Sequence, residues 1–276
     1  MNQTPYSVLM AVYAKESGSN LETAMNSVWS QTWPTSDFVL VCDGPLTEEL
    51  ENVIAKQLAE HSDALHIHRL AENQGLGEAL NQGLAICREE LVMRADSDDI
   101  SLPNRAEEQI KYLLNNNLDV LSCTVLEFHD DPSVITGQRT VPPSHEDIVK
   151  FAKNRSPFNH PAVIFRKSAV EKAGGYMTLL YTEDYYLWIR MILAGARCGN
   201  TETPYVYLRA GAATIARRKR KEAYESRVVL LSFMRKAKFI SAFRYYWNRL
   251  VFYSLYALPT PIVDLVYRSL HKKKKT

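Results

Sequence analysis

Short apolar runs alternate with stretches in which apolar residues recur every three or four positions, and this alternation lays out the first half of the chain. Ser7 to Tyr13 is apolar on both faces, as expected of a central parallel strand covered by helices. After the loop from Ala14 to Asn20, Leu21, Ala24, Met25, Val28 and Trp29 recur at helical spacing. A second run, Phe38 to Cys42, ends at Asp43-Gly44 and completes a β-α-β unit. Leu50, Val53, Ile54 and Leu58 predict the next helix. Leu65 to Leu70 predicts a short strand with His66 and His68 on one side, facing solvent. Asn73-Gln74-Gly75-Leu76-Gly77 leads into a helix bearing Leu80, Leu84 and Cys87, and Leu91-Val92-Met93 reads as a buried strand. Ser101 as N-cap and Pro103 in the first turn then open a helix with Ala106, Ile110, Leu113 and Leu114 on one face. Four strand-helix repeats in succession argue for a doubly wound α/β sheet, which a fifth strand, Val120 to Phe128, continues.

From Asp130 to Pro157 the pattern loosens, with a short helix opened by Ser144. Asn159-His160-Pro161 precedes a strand from Ala162 to Phe165, and Ser168 caps a brief helix that ends at Gly174-Gly175. Thr182-Glu183-Asp184 starts a helix carrying Leu187, Trp188, Met191 and Ile192 that stops at Gly195.

Against this frame, two acidic clusters stand out. Arg94-Ala95-Asp96-Ser97-Asp98-Asp99 places three carboxylates in four residues at the C-terminal end of a strand, where open α/β sheets hold their ligands. Carboxylate oxygens suit hard cations such as magnesium or manganese, which are held by one or two carboxylates together with substrate phosphates. An Asp-x-Asp there points to a metal-bridged nucleoside diphosphate; a solvated acidic turn capping the next helix has the same local composition. Glu183 and Asp184 fit either a catalytic base or simple partners of a helix dipole. A dinucleotide fingerprint is absent, because Gly75 and Gly77 follow neither the first strand nor a G-x-G-x-x-G spacing.

Composition adds one asymmetry. The 276 residues carry a net charge of only +2, yet residues 217–276 hold 16 Lys/Arg against 3 Asp/Glu. That end therefore meets something anionic. It interleaves Phe239, Phe243, Tyr245, Tyr246, Trp247, Phe252, Tyr253 and Tyr256 with Arg and Lys and finishes in Lys272 to Lys275, which suits an amphipathic helix pair on an anionic bilayer. A helical cap on the catalytic domain is the competing reading. No RNA-binding signature accompanies the pattern, so nucleic acid is not expected as a partner. Leu250 to Val266, interrupted by Pro259, Pro261 and Asp264, is too short for a membrane span. Cys42, Cys87, Cys123 and Cys198 show no metal-finger or redox spacing, and the N-terminus lacks the basic patch and apolar stretch of a secretory signal. Both features suit a protein that stays in the cytoplasm, here peripheral to the membrane's inner face.

Taken together, Tyr13 and Glu16 after the first strand, Asp43 after the second, Asn73-x-Gly75 with Ala79-Leu80-Asn81-x-Gly83, the Arg94 to Asp99 cluster, and Thr182-Glu183-Asp184 resemble, in order and spacing, the inverting glycosyltransferases of family 2. The resemblance covers about residues 6 to 200 and implies the GT-A fold, a Rossmann-like, mostly parallel sheet flanked by helices. Residues 1–216 would form the catalytic domain and 217–276 a basic, amphipathic helical extension. It further implies that Tyr13, Glu16, Asp43, Asn73, Gly75, Arg94, Asp96 and Asp99 bind the nucleotide-sugar, with Asp43 on uracil and Asp99 orienting the sugar or the loop. Asp98, with Asp96, would hold manganese or magnesium. Asp184 would be the general base and Glu183 its supporting neighbour. His160 and the pair Arg217 and Arg218 would lie near the acceptor or a diphosphate; core packing of the histidine and a solvated basic turn are the alternatives. The donor implied is a UDP-sugar and the acceptor a bacterial polyprenyl-diphosphate-linked saccharide of O-antigen or capsule synthesis. Two other classes compete: a sugar nucleotidyltransferase, whose glycine-rich basic loop is not matched by Ala14-Lys15-Glu16-Ser17-Gly18, and a catalytically silent scaffold, against which Asp96, Asp98 and Asp184 argue.

Overall fold

The structure, a computed structural model, describes residues 3–210 and 220–258. Its centre is a run of parallel strands, β1 (Ser7–Val12), β2 (Asp37–Cys42), β3 (Leu65–Arg69) and β4 (Leu91–Asp96), joined through helices α1 (Gly18–Trp29), α2 (Glu48–Glu60) and α3 (Leu76–Ile86). Beyond β4 come β5 (Ile100–Ser101), α4 (Arg105–Asn115), β6 (Val120–Phe128), β7 (Gly137–Arg139), α5 (His145–Phe151), β8 (Ile164–Arg166), α6 (Lys167–Lys172), α7 (Glu183–Leu193) and β9 (Cys198–Arg209). Two further helices, α8 (Lys221–Lys236) and α9 (Ala242–Ala257), complete the described chain. The sheet runs β3-β2-β1-β4-β8-β6-β9-β5, with β7 pairing on β6.

The apolar runs behave as their composition demands: every residue of β2, and all but Ala11 of β1, is buried, because helices cover both faces. One layer packs Leu21, Met25, Val28, Leu50 and Ile54 of α1 and α2 on the sheet; the other packs Leu80, Leu84, Leu187, Trp188 and Met191 of α3 and α7. Gly83 lets α3 approach closely, since a Cβ there would sit 2.4 Å from Leu9 Cδ1 and 2.6 Å from Val41 Cγ2.

The strand from Val120 continues the sheet as expected, with the three-residue β8 running antiparallel between it and β4. Four expectations change. Ser101 is not a helix cap; it is drawn into β5 by pairing with β9, so α4 begins at Arg105. The α4 backbone is capped instead from across the fold, where Gln31 Oε1 accepts from Ala106 N–H at 2.9 Å. Leu114 and Leu58 are exposed rather than on the buried faces of their helices. His66 does not face solvent freely: its Nε2 lies 3.5 Å from Oδ1 of the buried Asp37. In addition, α6 starts at Lys167, so Ser168 lies inside the helix, its hydroxyl on Glu90 at 2.5 Å, rather than capping it.

Leu230, Leu231 and Met234 of α8 bury against Tyr185 and Ile189 of α7 and against Ala152, so this helix caps the body. Among the described residues no helix is long and apolar enough to cross a membrane.

Candidate active site

The parallel strands all point their C-terminal ends to one edge, and the predicted residues cluster there. Tyr13, just past β1, is exposed, and its carbonyl accepts from Glu16 N–H at 3.1 Å. Glu16 turns its carboxylate back to the start of α1, accepting from Ser17 N–H at 2.9 Å and Asn20 Nδ2 at 3.0 Å, and also takes a bond from Ser97 Oγ at 3.2 Å. The first loop is thereby tied to the acidic loop.

Asp43 follows β2 and is buried. Its carboxylate accepts from Asn73 Nδ2 at 3.0 Å, Gln74 N–H at 2.7 Å and Gly75 N–H at 3.1 Å. Gly75, at φ +86°, supplies the left-handed residue from which α3 departs. Asp43 thus holds the Asn73–Gly75 loop in place at the sheet edge.

The acidic loop after β4 brings carboxylate oxygens of Asp96, Asp98 and Asp99 within 4.8 Å of one another. Arg94, fully buried, donates from Nη2 to Asp96, while its Nε and Nη1 find no hydrogen-bond partner among the described residues. Arg209, at the end of β9, donates its backbone N–H to Asp99 at 2.8 Å and its Nε to the Asp98 carbonyl at 3.2 Å. Asp99 is buried and positions the loop. Burial pushes the Asp98 carboxyl up to about 7, and the charges of Asp96 and Glu16 add to it. Asp99 is raised well above the carboxylate range by burial, then by Asp98 and Asp96. Negative charge here is undercompensated, and the donors are all carboxylate oxygen. Such a set fits a hard divalent cation.

The second acidic pair opens α7. Asp184 is half-buried and accepts a long bond from Ser156 Oγ at 3.4 Å. Glu183 packs toward the start of α3, where a Cβ added to Gly77 would lie 3.6 Å from Glu183 Cβ. Burial raises the Glu183 carboxyl to about 7 and the Asp184 charge adds, against backbone N–H groups at the helix start.

Between the clusters stands a pair that joins them. His160 sits in a 3-10 turn, His160–Ala162, just before the segment that runs antiparallel to β4; Arg94 N–H donates to the Val163 carbonyl at 3.0 Å. Continuing that register sets the turn beside Asp96. His160 Nε2 meets the Tyr176 hydroxyl at 2.9 Å. Tyr176 is pinned by Asn81, which donates from Nδ2 to its carbonyl and accepts its N–H, each at 2.7 Å. Trp188, one turn beyond Asp184, packs its ring 6.0 Å from that of His160. Burial, then Arg94, holds the imidazole down to about 4, while Asp184 and Asp96 both pull the other way. Burial raises the Tyr176 phenol, which feels Asp184, Asp96 and Glu183 together. The charges of Asp96 and Asp184, 88 residues apart in sequence, both favour the protonated His160, against burial and Arg94.

Sequence reasoning did not single out Tyr176, Arg209, Ser97 or Ser156. Ser97 and Asn81 enter only as members of motifs; the bond from Ser97 to Glu16 and those from Asn81 to Tyr176 supply the reason. Arg217 and Arg218 lie outside the described residues.

The model of the family described as "Glycosyl transferase family 2" matches residues 7–174. The amylovoran biosynthesis glycosyltransferase AmsE of Erwinia amylovora is 39% identical over 226 residues, 82% of this chain and 84% of that protein. The UDP-Gal:alpha-D-GlcNAc-diphosphoundecaprenol beta-1,3-galactosyltransferase of Escherichia coli is 34% identical over 276 residues, 99% of this chain and 98% of that one. In fold, the chain is similar to the mannosyltransferase PcManGT of Pyrobaculum calidifontis, solved in complex with GDP-Man and Mn2+. The TM-score is 0.65 at 16% identity, over 98% of this chain and 81% of that one.

Proposed function

The chain belongs to glycosyl transferase family 2 and is a glycosyltransferase with the GT-A fold, and from that premise we propose that it transfers a hexose from a UDP-sugar to a sugar hydroxyl of a polyprenyl-diphosphate-linked acceptor. The reaction forms a β-linkage by single displacement and serves synthesis of a bacterial surface polysaccharide. The full-length similarity to the Escherichia coli galactosyltransferase supports the donor and acceptor classes, with galactose or glucose as the sugar. The observation that supports the mechanism is the gathering of Asp96, Asp98 and Asp99 within 4.8 Å of one another at the C-terminal end of a central parallel strand.

Asp98 and Asp96 would hold a divalent metal, manganese or magnesium, which supplies Lewis-acid stabilisation of the leaving diphosphate. Tyr13, exposed at the sheet edge beside the Asp43-held loop, lies on the nucleotide side. The buried Arg94 guanidinium pairs with Asp96 and holds it in place. On the opposite side Asp184 accepts the acceptor hydroxyl's proton as that oxygen attacks the anomeric carbon, an effect of about 10²–10⁴-fold in rate. Glu183, poised near neutrality, spares Asp184 a second full negative charge at its side. His160 stays neutral at pH 7 and with Tyr176 forms a wall that sets the distance between donor and base. Residues 1–216 make up the catalytic domain, and residues 217–276 bring it to the anionic cytoplasmic face of the inner membrane, where the acceptor resides.

The test is calorimetry with UDP and manganese, followed by transfer from a panel of UDP-sugars to a synthetic lipid diphosphate-GlcNAc, with the product weighed by mass spectrometry. UDP binding that a chelator abolishes, and one hexose added, are expected. Indifference to both UDP and metal would leave a scaffold that keeps the fold without the chemistry.

A further inference from the structure

The α8–α9 hairpin carries charge and apolar surface that the body does not use. From Ser226 to Leu258 the chain has no Asp or Glu, yet it holds Arg227, Arg235, Lys236, Lys238, Arg244 and Arg249. At the turn between the helices Ser232, Arg235, Lys236, Lys238 and Tyr245 line an open pocket of about 430 Å³. Among the described residues none of those three cations has an ion-pair partner, unlike Lys56, Lys111, Lys150 and Lys221 but like exposed Lys15 and Lys172. Ser232 Oγ donates to the Val228 carbonyl at 2.7 Å and lies 3.4 Å from Tyr245 Oη, which also accepts from Arg249 Nη1 at 3.2 Å. Three cations and the Tyr245 hydroxyl around one opening match the oxygens of a phosphate.

Next to the pocket, α9 divides into two faces. Asn248 donates to the Lys153 carbonyl at 2.8 Å, which fastens this side to the body, and Phe252 takes the guanidinium of Arg227 on α8 4.6 Å above its ring. The opposite side exposes Phe243, Tyr246, Trp247, Leu250 and Tyr253, with Phe243 80% exposed and Trp247 55%. Tyr245 and Tyr246 pack edge to face with centroids 5.1 Å apart, so pocket and apolar face adjoin. An apolar aromatic stripe bordered by unpaired cations complements a negatively charged lipid-water interface.

We infer that the α8–α9 hairpin is the membrane-docking element, with the aromatic face of α9 seated in the lipid interface and the pocket at Arg235, Lys236 and Lys238 holding the phosphate of an anionic phospholipid headgroup. This deepens the reading of residues 217–276 given above and rests on it for the enzyme's orientation.

The full-length chain is mixed with vesicles of phosphatidylcholine alone or with a quarter phosphatidylglycerol. Binding to the anionic vesicles alone, falling with salt, is expected. The variant Arg235→Gln/Lys236→Gln/Lys238→Gly loses about fivefold per cation, about 100-fold in all; glycine suits position 238, where φ is +58°. Phe243→Ser/Trp247→Ser loses roughly tenfold. In the unaltered protein, brominated phosphatidylglycerol quenches tryptophan fluorescence, and Trp247→Phe removes that quenching. Variants that bind as well as the parent, or quenching that persists in Trp247→Phe, overturn the inference. So does a parent that ignores vesicles but forms a dimer that Phe243→Ser/Trp247→Ser dissociates, because a second copy then covers the face. Transfer to a water-soluble, short-chain diphosphate acceptor is measured in parallel and is expected to be unchanged in every variant. Its absence in the parent, with vesicle binding as described, would remove the transferase chemistry and leave the docking element standing.

Discussion

Glu183 should make the metal-free protein less stable as pH rises. Its carboxyl, ordinarily at 4.5, is raised to about 7 by burial and by Asp184, and its Oε2 has no hydrogen-bond partner among the described residues. A raised folded-state value means that the native protein binds the proton more tightly than the unfolded chain does. Below about pH 4.5 both states are protonated and the group is neutral in effect. Between about 4.5 and 7 the unfolded chain releases its proton while the native state retains it, so stability falls with rising pH, and the loss is complete above about 7. At about 1.4 kcal/mol per pH unit, the interval corresponds to about 3 kcal/mol. Glu183→Gln keeps the shape and removes the ionisation. Urea unfolding in the presence of chelator should give equal stability for the two proteins near about pH 4 and a variant about 3 kcal/mol more stable near about pH 8. Taking the difference between the two proteins cancels Asp98 and Asp99, which titrate in the same direction in both. If the two unfolding curves coincide at both values, the carboxyl is solvated and the account of the second acidic cluster is wrong.

Three further outcomes follow from the geometry. Asp184→Asn should lower kcat by about 10²–10⁴-fold while calorimetry shows UDP and manganese binding unchanged, if the residue acts as the proposed base on the acceptor. Asp98→Asn should do the reverse, weakening manganese binding enough that titration no longer saturates where the parent does, because it removes one of three carboxylates gathered within 4.8 Å. Gln31→Leu should cost about 2 kcal/mol in urea unfolding, because it strips the buried Ala106 N–H of its cap and the Leu102 carbonyl of a donor at 2.8 Å.

The strands β1, β2 and β4 and the helices between them are legible because each buries a contiguous run or one helical face, and that requirement is written locally. β9 is not. Its sequence, Cys198 to Arg209, mixes Thr201, Glu202 and Pro204 into the run, and its register on β6 breaks between Cys123 and Val125. Pairing with β9 is also what takes Ser101 out of the cap position it suits by composition, while a side chain 75 residues away does the capping. In the site, carboxylates announce themselves because clustered charge is costly without a partner. Asp43 is an example of the limit: the family resemblance makes it a candidate, but its three bonds to the loop from Asn73 to Gly75 are visible only in space. Tyr176 carries no local signal at all. It becomes notable through His160 and Asn81, which are 16 and 95 residues away.

The most direct test of the central claim is the anomeric configuration of the product. The proposed mechanism has one base on the acceptor side and a metal-holding acidic loop on the donor side, and a single in-line displacement of that kind inverts the donor carbon. NMR of the disaccharide made from an α-linked UDP-hexose should therefore show a β-linkage, and an α-linkage would contradict the account.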